Sequence, residues 1–355
     1  MKGAINMYHI LDSIANAPTM SDAELTPKDF KVDIDVRWCA GCGGFSILSQ
    51  VQRILPELGI AKEKITFVSG IGCSSRFPYY IDTYGFHSIH GRALAIASGL
   101  KIARPDLSIW VPTGDGDCMS IGGNHFIHAC RRNVDINVLM FNNEVYSLTK
   151  GQYSPTSQPG QITKTSPMGV IDNPFNPASL ALGAGASFVA RAADSDVKEL
   201  AYLFERAAKH KGISFVEVYA NCVIFNDGAF ENFRNKKLAK DYTVKIEHGK
   251  PLIFGAERDK AIKLDGFTPV VFDINEGNNS VNDALVHNEK DSTLAFILAN
   301  MTYNPEVPRP VGIFQAIDLP TYDAQAAEQI ELAKAKRGEG DLDVLLKGED
   351  SWVID

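Results

Sequence analysis

Residues 109–152, IWVPTGDGDCMSIGGNHFIHACRRNVDINVLMFNNEVYSLTKGQ, constrain this chain more than any other stretch, because they read as a single βαβ unit. Residues 109–112 are short and apolar, as a strand covered on both faces of a parallel sheet must be. The run ends in Gly114-Asp115-Gly116-Asp117, where glycines let the chain turn sharply and bring its backbone close to a ligand. A helix over roughly 119–132 and a second apolar strand over 136–141 follow, and that strand ends in Asn142-Asn143. Open α/β sheets hold ligands beyond the carboxyl ends of their parallel strands. Asp115 and Asn143 are therefore expected side by side at two strand tips, with the Val145 carbonyl within reach. Oxygen donors of this kind suit Mg²⁺, which usually shares its coordination sphere with water and substrate phosphates. Acidic turns and strand-end asparagines are also common in loops that bind nothing, so GDG alone would leave that bland reading ahead.

The combination of GDG, NN and a βαβ context is the pattern of thiamine-diphosphate (TPP) enzymes. NNEVYSLTKGQYSPTS, together with WCAGCGG around Trp38 and GIGCSSR around Gly70, resembles the β subunit of 2-oxoacid:ferredoxin oxidoreductases, and most closely the TPP-binding subunit of those acting on 2-oxoglutarate. The resemblance runs from about residue 36 to 226, somewhat over half of the chain. It implies an α/β fold, a doubly wound, mostly parallel sheet of the TPP diphosphate-binding type with an irregular C-terminal extension. The expected division is an N-terminal arm (1–32), a TPP and iron–sulfur domain (33–228) and an extension (229–355) that covers the cluster or contacts other subunits. The cofactor-binding set it implies is Gly72, Ser74, His90, Gly114, Gly116, Asp117, Asn143 and Gln152, with Asp115, Asn143 and Val145 on Mg²⁺. His90 and Arg92 precede an Ala-rich helix over 93–102, whose free N–H groups favour an anionic diphosphate; a His capping its own helix is the alternative.

Six cysteines make the redox compartment matter. The N-terminus has no uninterrupted apolar h-region, and no apolar run approaches a membrane span, so a cytoplasmic location with reduced thiols is expected. A net charge of −8 argues against a nucleic-acid surface. Cys39 and Cys42 form a CxxC turn, Cys73 follows a strand over 64–69, and Cys222 follows a strand over 213–219, so one rim of the sheet can gather all four. Spacing alone leaves a structural zinc and a [4Fe–4S] cluster equally open. The resemblance, which includes a late Cys in Cys222-Val223-Ile224-Phe225-Asn226, implies the cluster. Cys118 and Cys130 read as buried small residues.

Lys150 stands where pyruvate-using relatives tend to have Gly. With Arg76 it would give two cations for a dicarboxylic 2-oxoacid, 2-oxoglutarate; a solvated loop Lys is the bland alternative. The resemblance then implies oxidative decarboxylation with coenzyme A (CoA) to succinyl-CoA and CO₂, electrons passing through the cluster to ferredoxin, in either direction and so open to carbon fixation. Pyruvate or a broad range of 2-oxoacids is the nearest alternative. A non-redox TPP decarboxylase with a structural zinc is a further one, and a catalytically inert binding subunit another. Only one diphosphate-binding unit is present, so the pyrimidine-activating domain is expected on an α subunit, in a dimer of αβ heterodimers.

Elsewhere the pattern predicts helices over 45–55, 196–210 (with Ser195 as N-cap), 232–242 and 324–337, a strand over 188–191, and loop-rich stretches over 265–280 and 304–320. A weak helical pattern also runs over 5–14.

Overall fold

The computed structural model describes residues 24–349 and Trp352; the pattern over 5–14 lies outside them. Helix α1 (Gly44–Glu57) precedes strands β1 (Ile65–Ser69) and β2 (Tyr84–His87), and helix α2 (Ala93–Ala103) leads to β3 (Ser108–Gly114). After β3 the chain makes a π-turn over Asp117–Ile121 and only then an α-helix, α3 (Gly123–Arg132). The single helix expected over 119–132 thus opens on a widened turn, a feature that often marks a functional site. Then come β4 (Asn137–Asn142), α4 (Pro177–Gly183), β5 (Phe188–Ala193), α5 (Val197–Lys209) and β6 (Ser214–Tyr219).

The strands order as β2-β1-β3-β4-β6-β5, all parallel, so helices must cover both faces. Alternate residues of one strand serve opposite cores. Ile109 and Val111 pack with Leu94, Phe126 and Leu298 on one side, while Trp110 packs with Ile47, Val51 and Leu203 on the other. From β1 the chain crosses to β2 on one side, and from β3 to β4 on the other. The crevice where the direction of winding reverses therefore lies between the tips of β1 and β3, the place where such sheets bind ligands.

The helix ends follow local chemistry. Asn176 caps α4 before Pro177, and Asp196 caps α5 by accepting the Glu199 amide at 3.1 Å. Ser195, the expected cap, instead donates its hydroxyl to the Arg234 carbonyl. The helix expected over 232–242 is broken into α6 (Glu231–Arg234) and α7 (Ala239–Tyr242). Asn235 is extended there, and its side chain accepts the Lys237 amide at 3.0 Å, a local bond that competes with helix continuation.

The last third is more regular than its composition suggests. β7 (Thr243–Ile246) is followed by a separate antiparallel sheet of β8 (Ile253–Phe254), β9 (Lys260–Asp265) and β10 (Thr268–Asp273). Helix α8 (Ser292–Asn300) precedes β11 (Arg309–Ala316), which pairs antiparallel to β5 and parallel to β7. Two of the stretches expected as loops thus carry β10 and β11, and β7 and β11 extend the main sheet to eight strands. Helix α9 (Tyr322–Arg337), expected over 324–337, buries none of its residues, and α10 (Leu342–Lys347) follows. No helix among the described residues is long and apolar enough to cross a membrane.

Candidate active site

The carboxyl ends of β1, β3, β4 and β6 converge on one cavity. Its walls include Trp38, Gly72, Ser74, His90, Gly114, Asp115, Gly116, Asp117, Asn143 and Val145. Asp115 is enclosed, and its Oδ2 accepts hydroxyls from Ser154 at 2.5 Å and Thr156 at 2.6 Å. Burial pushes its carboxyl above the usual range, and the two hydroxyls oppose that shift. Asn143 donates its amide to Ser147 at 2.9 Å, and its oxygen accepts the Val145 N–H at 3.2 Å. Between them Glu144 adopts φ 55°, a left-handed conformation rare outside glycine. Its buried carboxyl is pushed up to about 7, chiefly by desolvation, although Gln158 donates an amide to it at 2.8 Å.

Asp117 serves the protein. Its Oδ1 accepts the Ile71 and Gly91 amides at 3.1 and 2.8 Å and His90 Nδ1 at 2.5 Å, and its Oδ2 accepts the Thr113 hydroxyl at 3.1 Å. One carboxylate therefore ties three loops together and presents His90 to the cavity. The glycines are required by close approach: a Cβ on Gly70 would stand 2.1 Å from Asp117, and one on Gly116 2.2 Å from the Tyr146 ring. Ser74 Oγ is buried in the cavity wall without a hydrogen-bond partner. Such an orphan donor beside Gly72 (φ 132°) and the Gly114–Asp117 turn fits an anionic oxygen-rich group such as a diphosphate. Two of the expected residues lie elsewhere. Arg92 sits at the α2 N-cap, its guanidinium donating to the Ile121 carbonyl, and the Gln152 side chain accepts from Thr149, neither lining the cavity.

A second cavity shares Trp38, Cys42, Cys73 and Asn143 with the first, and it is lined as well by Cys39, Cys222, Arg37, Arg76 and Lys150. All four expected thiols are thus on one wall, and all are free. Burial raises the Cys42 thiol to about 11, the Gly44 amide opposes, and the three other thiolates raise it further. Cys73 is raised by burial and by Cys222, with Arg76 opposing. Among the described residues, no three His, Cys, Asp or Glu side chains converge as a ready-made single-ion site. The turn carrying Cys42 is clamped to the Cys222 arm: Gly43 N–H donates to the Asn221 carbonyl at 3.2 Å, and a Cβ on Gly43 would stand 2.0 Å from Asp194. Trp38 Nε1 donates to the Cys73 carbonyl at 2.7 Å. Arg76 donates to the Arg37 carbonyl at 3.1 Å, and Lys150 holds φ 76°. Cys118 and Cys130 are buried, as expected.

Ser154, Thr156, Glu217 and Arg191 were not singled out from the sequence, although a Glu in SFVEVY and an Arg in FVARAA, charges inside apolar strands, carry a signal that could have found them.

A strand-tip cavity that fits an anionic group beside paired oxygen donors is what a TPP-binding domain requires. Residues 70–218 match the family model "Thiamine pyrophosphate enzyme, C-terminal TPP binding domain". The chain is 49% identical over 345 residues to the 2-oxoglutarate oxidoreductase subunit KorB of Mycobacterium tuberculosis, covering 96% of this chain and 91% of that one. It is 45% identical over 205 residues to the 2-oxoacid:ferredoxin oxidoreductase subunit beta of Saccharolobus solfataricus, covering 57% of this chain and 67% of that one. Among solved structures, a 2-oxoglutarate:ferredoxin oxidoreductase from Magnetococcus marinus, with 2-oxoglutarate, coenzyme A and succinyl-CoA bound, superposes with TM-score 0.73 at 34% identity, over 92% of this chain and 97% of that chain. The chain belongs to the family of 2-oxoacid:ferredoxin oxidoreductase β subunits, which are oxidoreductases.

Proposed function

We propose that this chain is the TPP-binding subunit of an enzyme that oxidatively decarboxylates 2-oxoglutarate with CoA to succinyl-CoA and CO₂, passing electrons through a [4Fe–4S] cluster to ferredoxin. The observation that carries the reading is the pair of adjoining cavities that share Cys42, Cys73 and Asn143, with Asp115 in the first and Cys39, Cys222, Arg76 and Lys150 in the second.

Asp115, Asn143 and the Val145 carbonyl are the donors for Mg²⁺, and Gly72, Ser74, His90, Gly114 and Gly116 form the diphosphate cradle. Asp117 acts behind them by holding His90 and two loop amides. When bound, TPP supplies the electron sink for decarboxylation. The protein's part is to hold and orient. Arg76 and Lys150 set the two carboxylates of the substrate, and the enclosed wall of Trp38 and Phe141 excludes water.

Cys39, Cys42, Cys73 and Cys222 hold the cluster. Their lining of one cavity, in a chain of a ferredoxin-linked oxidoreductase family, supports a redox cluster over a structural zinc. The same cavities serve the reductive, carbon-fixing direction equally.

An α subunit would supply the pyrimidine-activating domain, in a dimer of αβ heterodimers with ferredoxin as electron partner and the cytoplasm as setting. The 2-oxoglutarate- and ferredoxin-linked relatives, one of them solved with coenzyme A bound, support 2-oxoglutarate, CoA and ferredoxin as partners of this reaction class.

The test is CoA-dependent reduction of a viologen dye by the complex, purified without oxygen, with 2-oxoglutarate, pyruvate and 2-oxobutyrate. Preference for 2-oxoglutarate is expected. Equal or better rates with pyruvate would make Lys150 an ordinary loop residue and favour the broad-range alternative.

A further inference from the structure

Arg191 and Glu217 are register partners on β5 and β6, in the middle of the sheet. Both are fully enclosed, with Arg191 Nε 2.7 Å from Glu217 Oε2. An ion pair in such a place gains little stability over apolar side chains of similar volume, so stability alone does not account for it. The other Glu217 oxygen accepts Asn142 Nδ2 at 2.7 Å, and Asn142 Oδ1 lies 3.0 Å from the Thr156 hydroxyl. That hydroxyl lies 2.6 Å from Asp115 Oδ2, where Ser154 also donates. Thr156 has one hydrogen for two acceptors, and the carboxylate is the closer and stronger one. Asn142, pinned by Glu217, bounds the hydroxyl from the other side. At the far end, Arg191 donates to the Thr302 hydroxyl oxygen at 2.9 Å, tying the strut to the segment before β11. Every member from Arg191 to Asp115 is buried.

We propose that Thr156, Asn142 and the Arg191–Glu217 pair are positioning residues that lock Asp115 in one rotamer, and that this rigidity selects Mg²⁺ over Ca²⁺. The proposal rests on Asp115 being a metal ligand, as in the function proposed above. Both hydroxyls fall on Oδ2, which leaves Oδ1 outside the clamp. Mg²⁺ demands near-ideal octahedral geometry at about 2.0–2.1 Å, whereas Ca²⁺ accepts about 2.3–2.6 Å and irregular spheres. A carboxylate that cannot swing therefore favours the smaller ion. Asn142 also precedes Asn143, so the same strut fixes the second ligand arm.

The experiment titrates Mg²⁺ and Ca²⁺ separately into the cofactor-stripped complex at fixed TPP, read by tryptophan fluorescence and calorimetry rather than by turnover. Thr156→Val should lower Mg²⁺ affinity roughly 10–100-fold, the range for lost outer-sphere partners, with Ca²⁺ affinity falling much less. Thr156→Ser should restore the wild-type ratio. The double replacement Arg191→Met with Glu217→Leu should shift the ratio in the same direction while keeping the iron content; if it does not fold, Thr156→Val alone decides. Equal losses for both ions, or no loss, in folded Thr156→Val protein would overturn the proposal. A wild-type complex that binds TPP with neither ion would instead overturn the metal-site reading itself.

Discussion

Replacing Lys150 by Gly separates two properties that usually move together. Lys150 holds φ 76°, in the left-handed region where an L-residue carries about 1–2 kcal/mol of strain. Glycine relieves that strain, but it adds about 0.5–1 kcal/mol of unfolded-chain entropy to be lost on folding. The net effect on stability is a gain of about 0.5–1 kcal/mol, from the difference of those two contributions. The effect on substrate choice has the opposite sign. A cation about 4 Å from a carboxylate near a protein surface interacts by about 4 kcal/mol at an effective dielectric constant near 20. Lys150 is exposed, so solvent screening cuts this to about 1–2 kcal/mol, or roughly 5–30-fold in kcat/KM for 2-oxoglutarate. Pyruvate has no distal carboxylate and should change by less than about twofold by the same argument. Lys150→Gln keeps the strained backbone and removes the charge, so it should reproduce the loss of selectivity without the gain in stability. The assays are anaerobic viologen reduction with both substrates and thermal unfolding of the complex. If Lys150→Gly lowers 2-oxoglutarate and pyruvate rates equally, Lys150 does not read the second carboxylate and the specificity argument fails.

Three further outcomes are expected. Asp115→Ala should abolish Mg²⁺-dependent TPP binding while leaving the visible absorbance of the cluster; normal TPP content in that protein would remove the metal assignment. Gly43→Ala should lower iron content, because the added methyl would stand 2.0 Å from Asp194 and push the Cys42 turn off the Cys222 arm; full iron occupancy by elemental analysis would refute the clamp. Burial holds His210 and His287 below the usual histidine pKa, so their contribution to stability is present above pH of about 6.5 and lost as pH falls through their lower folded values. Urea unfolding between neutral and mildly acidic pH should show that decline, and His210→Gln should flatten it; an unchanged slope would mean that other groups govern it.

The core of this fold was legible because its strands are short apolar runs with unmistakable punctuation. GDGD and NN sit where β3 and β4 end, and the CxxC, Cys73 and Cys222 segments do reach one cavity wall. What escaped notice has a common cause. Ser154 and Thr156 lie in a polar loop whose contacts with Asp115 depend on how it folds back over the strand tip, and nothing in YSPTS reports that path. Asp117, expected at the cofactor, lines the cavity and also braces three loops, a role that escaped notice because they meet at its carboxylate only in three dimensions. β11 includes Pro310 and Gly312, which read as loop residues. It forms because β5 and β7 leave a gap in the sheet that it fills, so tertiary pairing overrides local preference.

The position of β11 also bears on how the chain reaches its native state. β5 is hydrogen-bonded on one side by β6, made shortly after it, and on the other by a strand that leaves the ribosome more than a hundred residues later. Asn133, at the end of α3, donates to the carbonyls of Leu319 and Pro320, further pairings between distant parts of the sequence. Contacts so far apart in the sequence slow folding, because loop closure must precede the reward. Until β11 arrives, the outer edge of β5 stays open and Arg191 lacks its Thr302 partner. The nascent chain therefore passes through a long interval in which its sheet is incomplete and most exposed to aggregation.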